Sequence, residues 1–271
     1  RACRVMTAIP DLQYRHFPEN FSRRKRAWLR LAHGQTMRRA DVVVAFSDYV
    51  RNELLDTYGE SAATKVVTLP LPISWDRFGA IHPLVAERPY VLTVASHYKH
   101  KNLSTLIAAF REVRSTMPEV ELVMVGQTGD QLIGVTQAER VGDLVHVYSL
   151  DGDVRVTGFL PDSELGQLYS GASLFVFPSV FDGFGLPPVE AIGLGVPVLT
   201  TRSGSLPEVT RGLAEFVEDP YDVDEMATKM LTMLSDGTRP HADRVDEFRA
   251  FYDPANIGRL WADVLTQTAT A

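Results

Sequence analysis

The chain has 271 residues, of which 45% are hydrophobic and 9% aromatic, and its formal net charge is −7. That acidic balance argues against bulk nucleic-acid binding, and no apolar run approaches the roughly 20 residues a spanning helix needs. The single cysteine, Cys3, excludes an internal disulfide and any cysteine-based zinc cluster, and it reads as a small buried apolar residue.

In chain order, short β-branched runs at residues 4–8, 41–46 and 65–69 predict three strands in the first quarter. Residues 21–40 hold seven basic side chains (Arg23, Arg24, Lys25, Arg26, Arg30, Arg38, Arg39) and no acidic one, interleaved with Phe21, Trp28, Leu29 and Leu31. Such a segment is either a surface helix whose aromatic face is core, or a helix lying on an anionic membrane with its basic side chains at the headgroups. A stretch with Pro70, Pro72, Gly79 and Pro83 has no sustained period, and residues 76–88 read as the linker. Five further strands are predicted at 90–95, 121–126, 154–158, 174–177 and 197–201. Helical stripes lie between them, notably Leu103, Leu106, Ile107, Phe110 and Val113, with Asn102 in position to cap the helix start. Strand–helix alternation means βαβ units and a parallel sheet covered on both faces, so the fold class is α/β. Residues 89–250 suffice for a complete doubly wound domain, and residues 1–75 for only part of one.

Ligands of open parallel sheets bind beyond the carboxyl ends of the strands, so the loops at those ends carry the chemistry. After the strand at 90–95 come His97, Lys99, His100, Lys101 and Asn102, then a helix. Backbone N–H groups, the helix dipole and Lys101 are suited to one anion, a phosphate or diphosphate; a solvated loop with a capping Asn is the plain alternative. After the strand at 174–177 the chain reads Pro178-Ser179-Val180-Phe181-Asp182-Gly183-Phe184-Gly185-Leu186-Pro187-Pro188-Val189-Glu190. Glycines allow close backbone approach to a ligand, and prolines fit the first turn of a helix. The amides of Phe184, Gly185 and Leu186 are suited to hydroxyl or phosphate oxygens, and Asp182 and Glu190 to vicinal hydroxyls. A Gly/Pro turn with an acidic helix start explains the same residues without a ligand. Glu208 reads as a structural helix-start carboxylate. No Asp-x-Asp pair and no histidine ligand pattern occurs, so no metal is expected.

The run FPSVFDGFGLPPVEAIGLGVPVLTTRSGSLPEV closely resembles the signature of retaining glycosyltransferases of family 4, whose fold is GT-B. TVASHYKHKNLSTLIAAF, VTGFLPDSELGQLYSGASLFVFPS and IPDLQYRHFPENFS are similar to other segments of that family. The resemblance implies two Rossmann-like domains with parallel sheets, the N-terminal one incomplete because about 80–100 residues would precede it. It also implies a C-terminal helix, residues 251–271, packing back toward the first domain. Lys101 would neutralise the leaving diphosphate and, with Asp182 facing the donor sugar, forms the catalytic pair. Donor binding would fall to His97, Lys101, Phe184, Gly185, Leu186, Pro187 and Glu190, with Glu190 on the ribose hydroxyls. Asp182 stands where the family usually has Glu, His97 where many members have Arg, and Pro10 where His is common. The implied reaction is transfer of a hexose, mannose or glucose type, from a GDP- or UDP-linked sugar to a glycan or lipid-linked acceptor, without a cofactor. A nucleotide-sugar-binding module without turnover and a GT-B sugar-nucleotide epimerase are the alternatives. The expected location is the cytoplasm, with peripheral membrane contact through residues 21–40 as the alternative to a plain surface helix there.

Overall fold

The computed structural model of the chain describes residues 3–59, 62–79, 87–127 and 139–270. The N-terminal part runs β1 (Met6–Ala8), α1 (Gln13–His16), α2 (Arg23–Arg39), β2 (Val42–Ala45), α3 (Asp48–Tyr58) and β3 (Val66–Thr68). Its strands form one parallel sheet in the order β1-β2-β3. Val43 and Val44 of β2 are fully buried, as a parallel strand covered on both faces requires. Both long helices start on serine caps: Ser22 Oγ accepts the Lys25 N–H, and Ser47 Oγ accepts the Val50 N–H. Cys3 is exposed, contrary to the burial expected of a lone cysteine; it precedes the first strand.

The C-terminal part runs β4 (Tyr90–Val94), α4 (Leu103–Thr116), β5 (Glu121–Val125), α5 (Val141–Val147), β6 (Val154–Gly158), α6 (Asp162–Gly171), β7 (Leu174–Phe177), α7 (Leu186–Gly193), β8 (Val198–Thr201), α8 (Leu206–Val209), β9 (Ala214–Val217), α9 (Val223–Asp236), α10 (Ala242–Tyr252) and α11 (Pro254–Thr270). All six strands are parallel, in the order β6-β5-β4-β7-β8-β9. The chain starts mid-sheet at β4, steps outward to β6, returns to the other flank of β4 at β7, and steps outward again. The strand order therefore reverses between β4 and β7, and a crevice opens beyond their carboxyl ends. The apolar stripe predicted for α4 is the buried one: Leu103, Leu106, Ile107, Phe110 and Val113 are fully buried. Edge strand β9 was not among the predicted strands. It has four residues, mostly half-buried or exposed, too short for a period of two to register.

Two local expectations change. Asn102 does not cap α4 with its side chain; it adopts a left-handed conformation with φ 55°. Its amide instead donates to the carbonyls of Pro178 (3.2 Å) and Pro220 (2.6 Å), joining three loops at the crevice floor. The cap comes from Glu139, whose carboxylate accepts the Leu103 N–H at 2.7 Å and the Ser104 N–H at 3.3 Å. The proline-rich stretch before the second domain is also no free tether. Ile73, Trp75 and Phe78 are buried in the C-terminal core, and the Ile73 N–H donates to the Tyr252 carbonyl at 2.8 Å. Of the expected linker, residues 80–86 lie outside the described residues. At the far end, Leu265, Thr268 and Ala269 of α11 line one hollow with Cys3, Arg4, Met6 and Asp41 beside the N-terminal sheet.

Trp75 is the main staple of this junction. Its indole N–H donates to the Arg249 carbonyl at 3.2 Å, and its ring lies where a Cβ on Gly193 would stand, with atoms 2.2 and 2.3 Å away. Gly193→Ala is therefore expected to destabilise the fold by about 1–3 kcal/mol, the cost of overpacking. Urea unfolding checks this: the midpoint should fall at unchanged m-value, and an unchanged midpoint would show that the indole yields freely.

Candidate active site at the domain cleft

The crevice at the β4/β7 reversal is a cleft of about 620 Å³ between the two domains, within the size range of small-molecule sites. Its C-terminal wall comes from the loops after β4, β5, β6 and β7: Ser96, Tyr98, His100 and Lys101; Gly126 and Gln127; Phe159 and Leu160; Phe181, Asp182, Gly183 and Pro187. Asp11 and Gln13 reach in from the N-terminal domain.

At its centre Lys101 Nζ donates to both carboxylate oxygens of Asp182, each at 2.8 Å, with both side chains 15% exposed. The ammonium also lies 5.0 Å from the centre of the Phe177 ring, a further attraction for a cation. Next to this pair α7 begins, and no side chain caps it. The start of α4 differs, because the Glu139 carboxylate already occupies it. The start of α7 thus leaves its positive end for an outside anion, whereas that of α4 does not.

The structure brings Lys101, Asp182 and Pro187 into the cleft lining together with the Gly183 backbone. Phe184, Gly185 and Leu186 are not among the residues that line the cleft: the Phe184 side chain belongs to the core, edge-on to Tyr252, and Gly185 and Leu186 form the α7 start next to Pro187. His97 does not line the cleft. It is 2% exposed, and burial holds its pKa below the usual value, so the ring is neutral. The positive charge the sequence offered at this position is therefore absent at neutral pH. Glu190 is also buried, tied to Arg77 and to the Tyr169 hydroxyl, which donates at 3.0 Å.

Several further cleft residues were not singled out as site residues from the sequence. His100 is buried, and burial together with its Lys101 neighbour lowers its pKa to about 4. The Gln13 amide nitrogen, from the other domain, lies 2.9 Å from its ring nitrogens. Asp11 accepts the Gln13 N–H at 2.8 Å. Its pKa is raised by burial and, secondarily, by Asp182, while Lys101 and His33 pull it back. Phe159, 79% exposed, stands at the mouth. The motif segments that hold Asp11, Gln13, His100 and Phe159 were legible; that they converge needed the fold.

Residues 76–248 match the family described as Glycosyl transferases group 1. The chain belongs to that family. Among its relatives, O-antigen chain mannosyltransferase B of Escherichia coli is 29% identical over 285 residues, covering 99% of this chain and 70% of that protein. The GDP-mannose-dependent alpha-(1-6)-phosphatidylinositol monomannoside mannosyltransferase of Mycolicibacterium smegmatis is 31% identical, covering 82% of this chain and 58% of its own. In fold, the chain is similar to sucrose-phosphate synthase from Thermosynechococcus elongatus, with a TM-score of 0.78 at 21% identity, covering 97% of this chain and 67% of that one. Anabaena HepE, solved in complex with UDP and glucose, gives a TM-score of 0.78 over 98% of this chain and 72% of that one. The architecture is GT-B.

In this glycosyltransferase the two domains meet along a polar seam beside the Lys101–Asp182 pair. A Cβ on Gly183 would stand 2.4 Å from the Pro10 carbonyl oxygen and 2.9 Å from the Asp11 Cβ, so the loop can lie this close only as glycine. Ser47 Oγ donates to the Gly183 carbonyl at 2.7 Å. Glu208, expected as a helix-start carboxylate, is one, but for a helix of the other domain: it accepts the N–H groups of Asp48 (2.8 Å) and Tyr49 (3.2 Å) at the start of α3. Glu208→Ala should therefore lower stability by about 0.5–2 kcal/mol, the scale of a lost helix cap. Denaturant unfolding reads this directly; a value within error of wild type would mean the cross-domain cap contributes nothing.

Proposed function

We propose that this chain carries out retaining transfer of a mannose- or glucose-type hexose from a GDP- or UDP-linked donor to a glycan or lipid-linked acceptor. The observation that carries the reading is the Lys101–Asp182 pair beside the uncapped start of α7, at the strand-order reversal. The diphosphate lies against Lys101 and the first amides of α7, where fixed positive ends meet the charge that grows as the glycosidic bond breaks. Asp182, displaced from full pairing with Lys101, takes a hydroxyl of the donor sugar. Glu190 takes the ribose hydroxyls, and the exposed Phe159 ring covers the base. The relative named for GDP-mannose dependence and the neighbour solved with UDP and glucose support a nucleoside diphosphate sugar as donor. In this reading the protein's own charges do the work of leaving-group stabilisation, with no resident cofactor or metal. An epimerase or a silent binding module fits less well with relatives named as transferases. Product analysis separates the three: a new glycoside, a changed sugar, or no product.

We also assign the acceptor side to the inner face of the cytoplasmic membrane, with α2 as the contact. Phe21 and Leu29 pack against the N-terminal core, while Trp28 and Leu31 are 64% and 71% exposed on the same helix as the exposed Arg23, Arg24, Lys25 and Arg30. An apolar edge among cations suits an anionic surface. No helix among the described residues is long and apolar enough to cross a membrane.

Two measurements test these assignments. By calorimetry, Lys101→Ala should weaken binding of free nucleoside diphosphate by about 1.5–3 kcal/mol, the scale of a charge-assisted hydrogen bond. Asp182→Asn should spare free nucleoside diphosphate and weaken the nucleotide sugar, whereas Glu190→Gln should weaken both; equal losses of both ligands in Asp182→Asn would refute the division of roles. In vesicle sedimentation, binding should need anionic lipid, weaken at high salt and fall when Trp28 and Leu31 become polar. Equal, negligible binding to neutral and anionic vesicles would remove the membrane contact.

A further inference from the structure

We infer that Arg77 is a positioning residue of the nucleotide site, holding the Glu190 carboxylate charged and aimed for the ribose hydroxyls. The inference rests on the assignment of Glu190 to the ribose. Arg77 lies outside the four segments that carry the family resemblance, in the short 3-10 turn Trp75–Phe78 that carries the chain into the second domain. Its guanidinium pairs with Glu190 Oε1, while the Tyr169 hydroxyl donates to Oε2 at 3.0 Å. Each carboxylate oxygen thus has one protein donor and keeps a lone pair for a ligand hydroxyl.

The turn is held rigidly enough to aim the guanidinium. Phe78 is 1% exposed and meets Tyr169 edge-on at 6.1 Å between ring centres, and the Arg77 guanidinium lies 4.6 Å above the Phe78 ring. Trp75, two residues earlier, is locked against Gly193 of α7, the helix that carries Glu190. Arg77 and its target carboxylate are therefore fixed to the same helix, one through the Trp75 indole and the other through the backbone.

Such a partner is needed because Glu190 is 4% exposed, and removing an ion from water is costly. Burial pushes its carboxyl pKa up and Asp162 adds to the rise, while Arg77 and Tyr169 pull it down. These three side chains are the titratable or charged groups that act on it. Without the guanidinium the pKa rises further, and Glu190 takes up a proton at a pH where the wild-type carboxylate is still ionised. A protonated Glu190 loses acceptor strength toward ribose hydroxyls, so nucleotide affinity should fall as pH falls, and recover as pH rises.

The test measures Kd for UDP and GDP with the full chain from about pH 6 to about pH 8.5, for wild type, R77M, R77Q, R77K and E190Q. R77M keeps an aliphatic stem on the Phe78 ring and guards the fold; R77Q is the second uncharged variant. The variant-to-wild-type ratio of Kd cancels titration of the ligand phosphates. In R77M and R77Q this ratio should be several-fold above one at the acid end and shrink toward the alkaline end. R77K, which keeps a charge, should restore most of the loss. A ratio that is raised equally at every pH, or that stays at one, overturns the inference, because a turn that merely packs would show the same loss with or without charge. E190Q distinguishes the two layers. If it leaves nucleotide affinity intact, the ribose assignment itself fails; if it weakens nucleotide while R77M and R77Q show a flat ratio, only the role of Arg77 fails.

Discussion

The parallel pairing of β4 with β7 is the constraint on which the rest of this molecule depends. Val91 and Leu92 lie in register with Leu174 and Phe175, although more than eighty residues separate them in the chain. Because β7 joins the sheet on the flank of β4 opposite to β5, the loops leaving β4 and β7 part and leave an opening between them. Lys101 ends the first of these loops and Asp182 lies in the second. Their contact is a direct product of that pairing, and so is the placement of the α7 start beside the lysine. Apolar burial supplies the driving force: Leu92, Phe175 and Phe177 are fully buried, and the polar groups are carried on the loops that this packing fixes.

The charged groups at and behind the cleft are satisfied by one another. Lys101 is taken by Asp182, Glu190 by Arg77 and Tyr169, and the α4 start by Glu139. An unpaired buried ion is expensive, so a site waiting for a charged ligand keeps its own charges paired until the ligand exchanges with them. Asp182 then holds Lys101 in place until a phosphate is seated, and its carboxylate becomes free for a sugar hydroxyl. The neutral histidines support the same economy of charge. His97 and His100 are both buried with lowered pKa, so the cation at this wall is Lys101 rather than a diffuse patch.

The domain seam carries polar contacts where a core would carry apolar ones. Ser47, Glu208, Gln13 and His100 bond across it, and the Phe181 ring sits among His16, Phe17 and Tyr49 at 4.8 to 6.2 Å between centres. Phe181 precedes Asp182, so the aromatic cluster fixes the carboxylate from the N-terminal side while Ser205 holds the Asp182 carbonyl from the other, through its N–H at 3.1 Å and its hydroxyl at 3.0 Å. Contacts of this kind are specific in geometry and modest in strength, as in interfaces between domains that shift with ligand.

Sequence by itself determined the elements and the chemistry of each loop. The α4 stripe, the valine strand β2 and the Gly/Pro turn before α7 are local patterns, each set by a period of 3.6, by branched side chains or by a missing Cβ, and these need no partner to be read. The Asp182–Glu190 spacing was legible for the same reason. What only the tertiary structure decided is which charge meets which. Lys101 and Asp182 are 81 residues apart, Arg77 and Glu190 113, and Glu208 and Asp48 160. Spacing along the chain carries no information about such pairs, because they follow from strand order and domain packing. The cap of α4 shows the difference: Asn102 is the local candidate, yet the packed fold brings Glu139 to those amides and turns Asn102 to two carbonyls, since a carboxylate delivered by the fold binds exposed N–H groups more strongly than a neutral amide next to them.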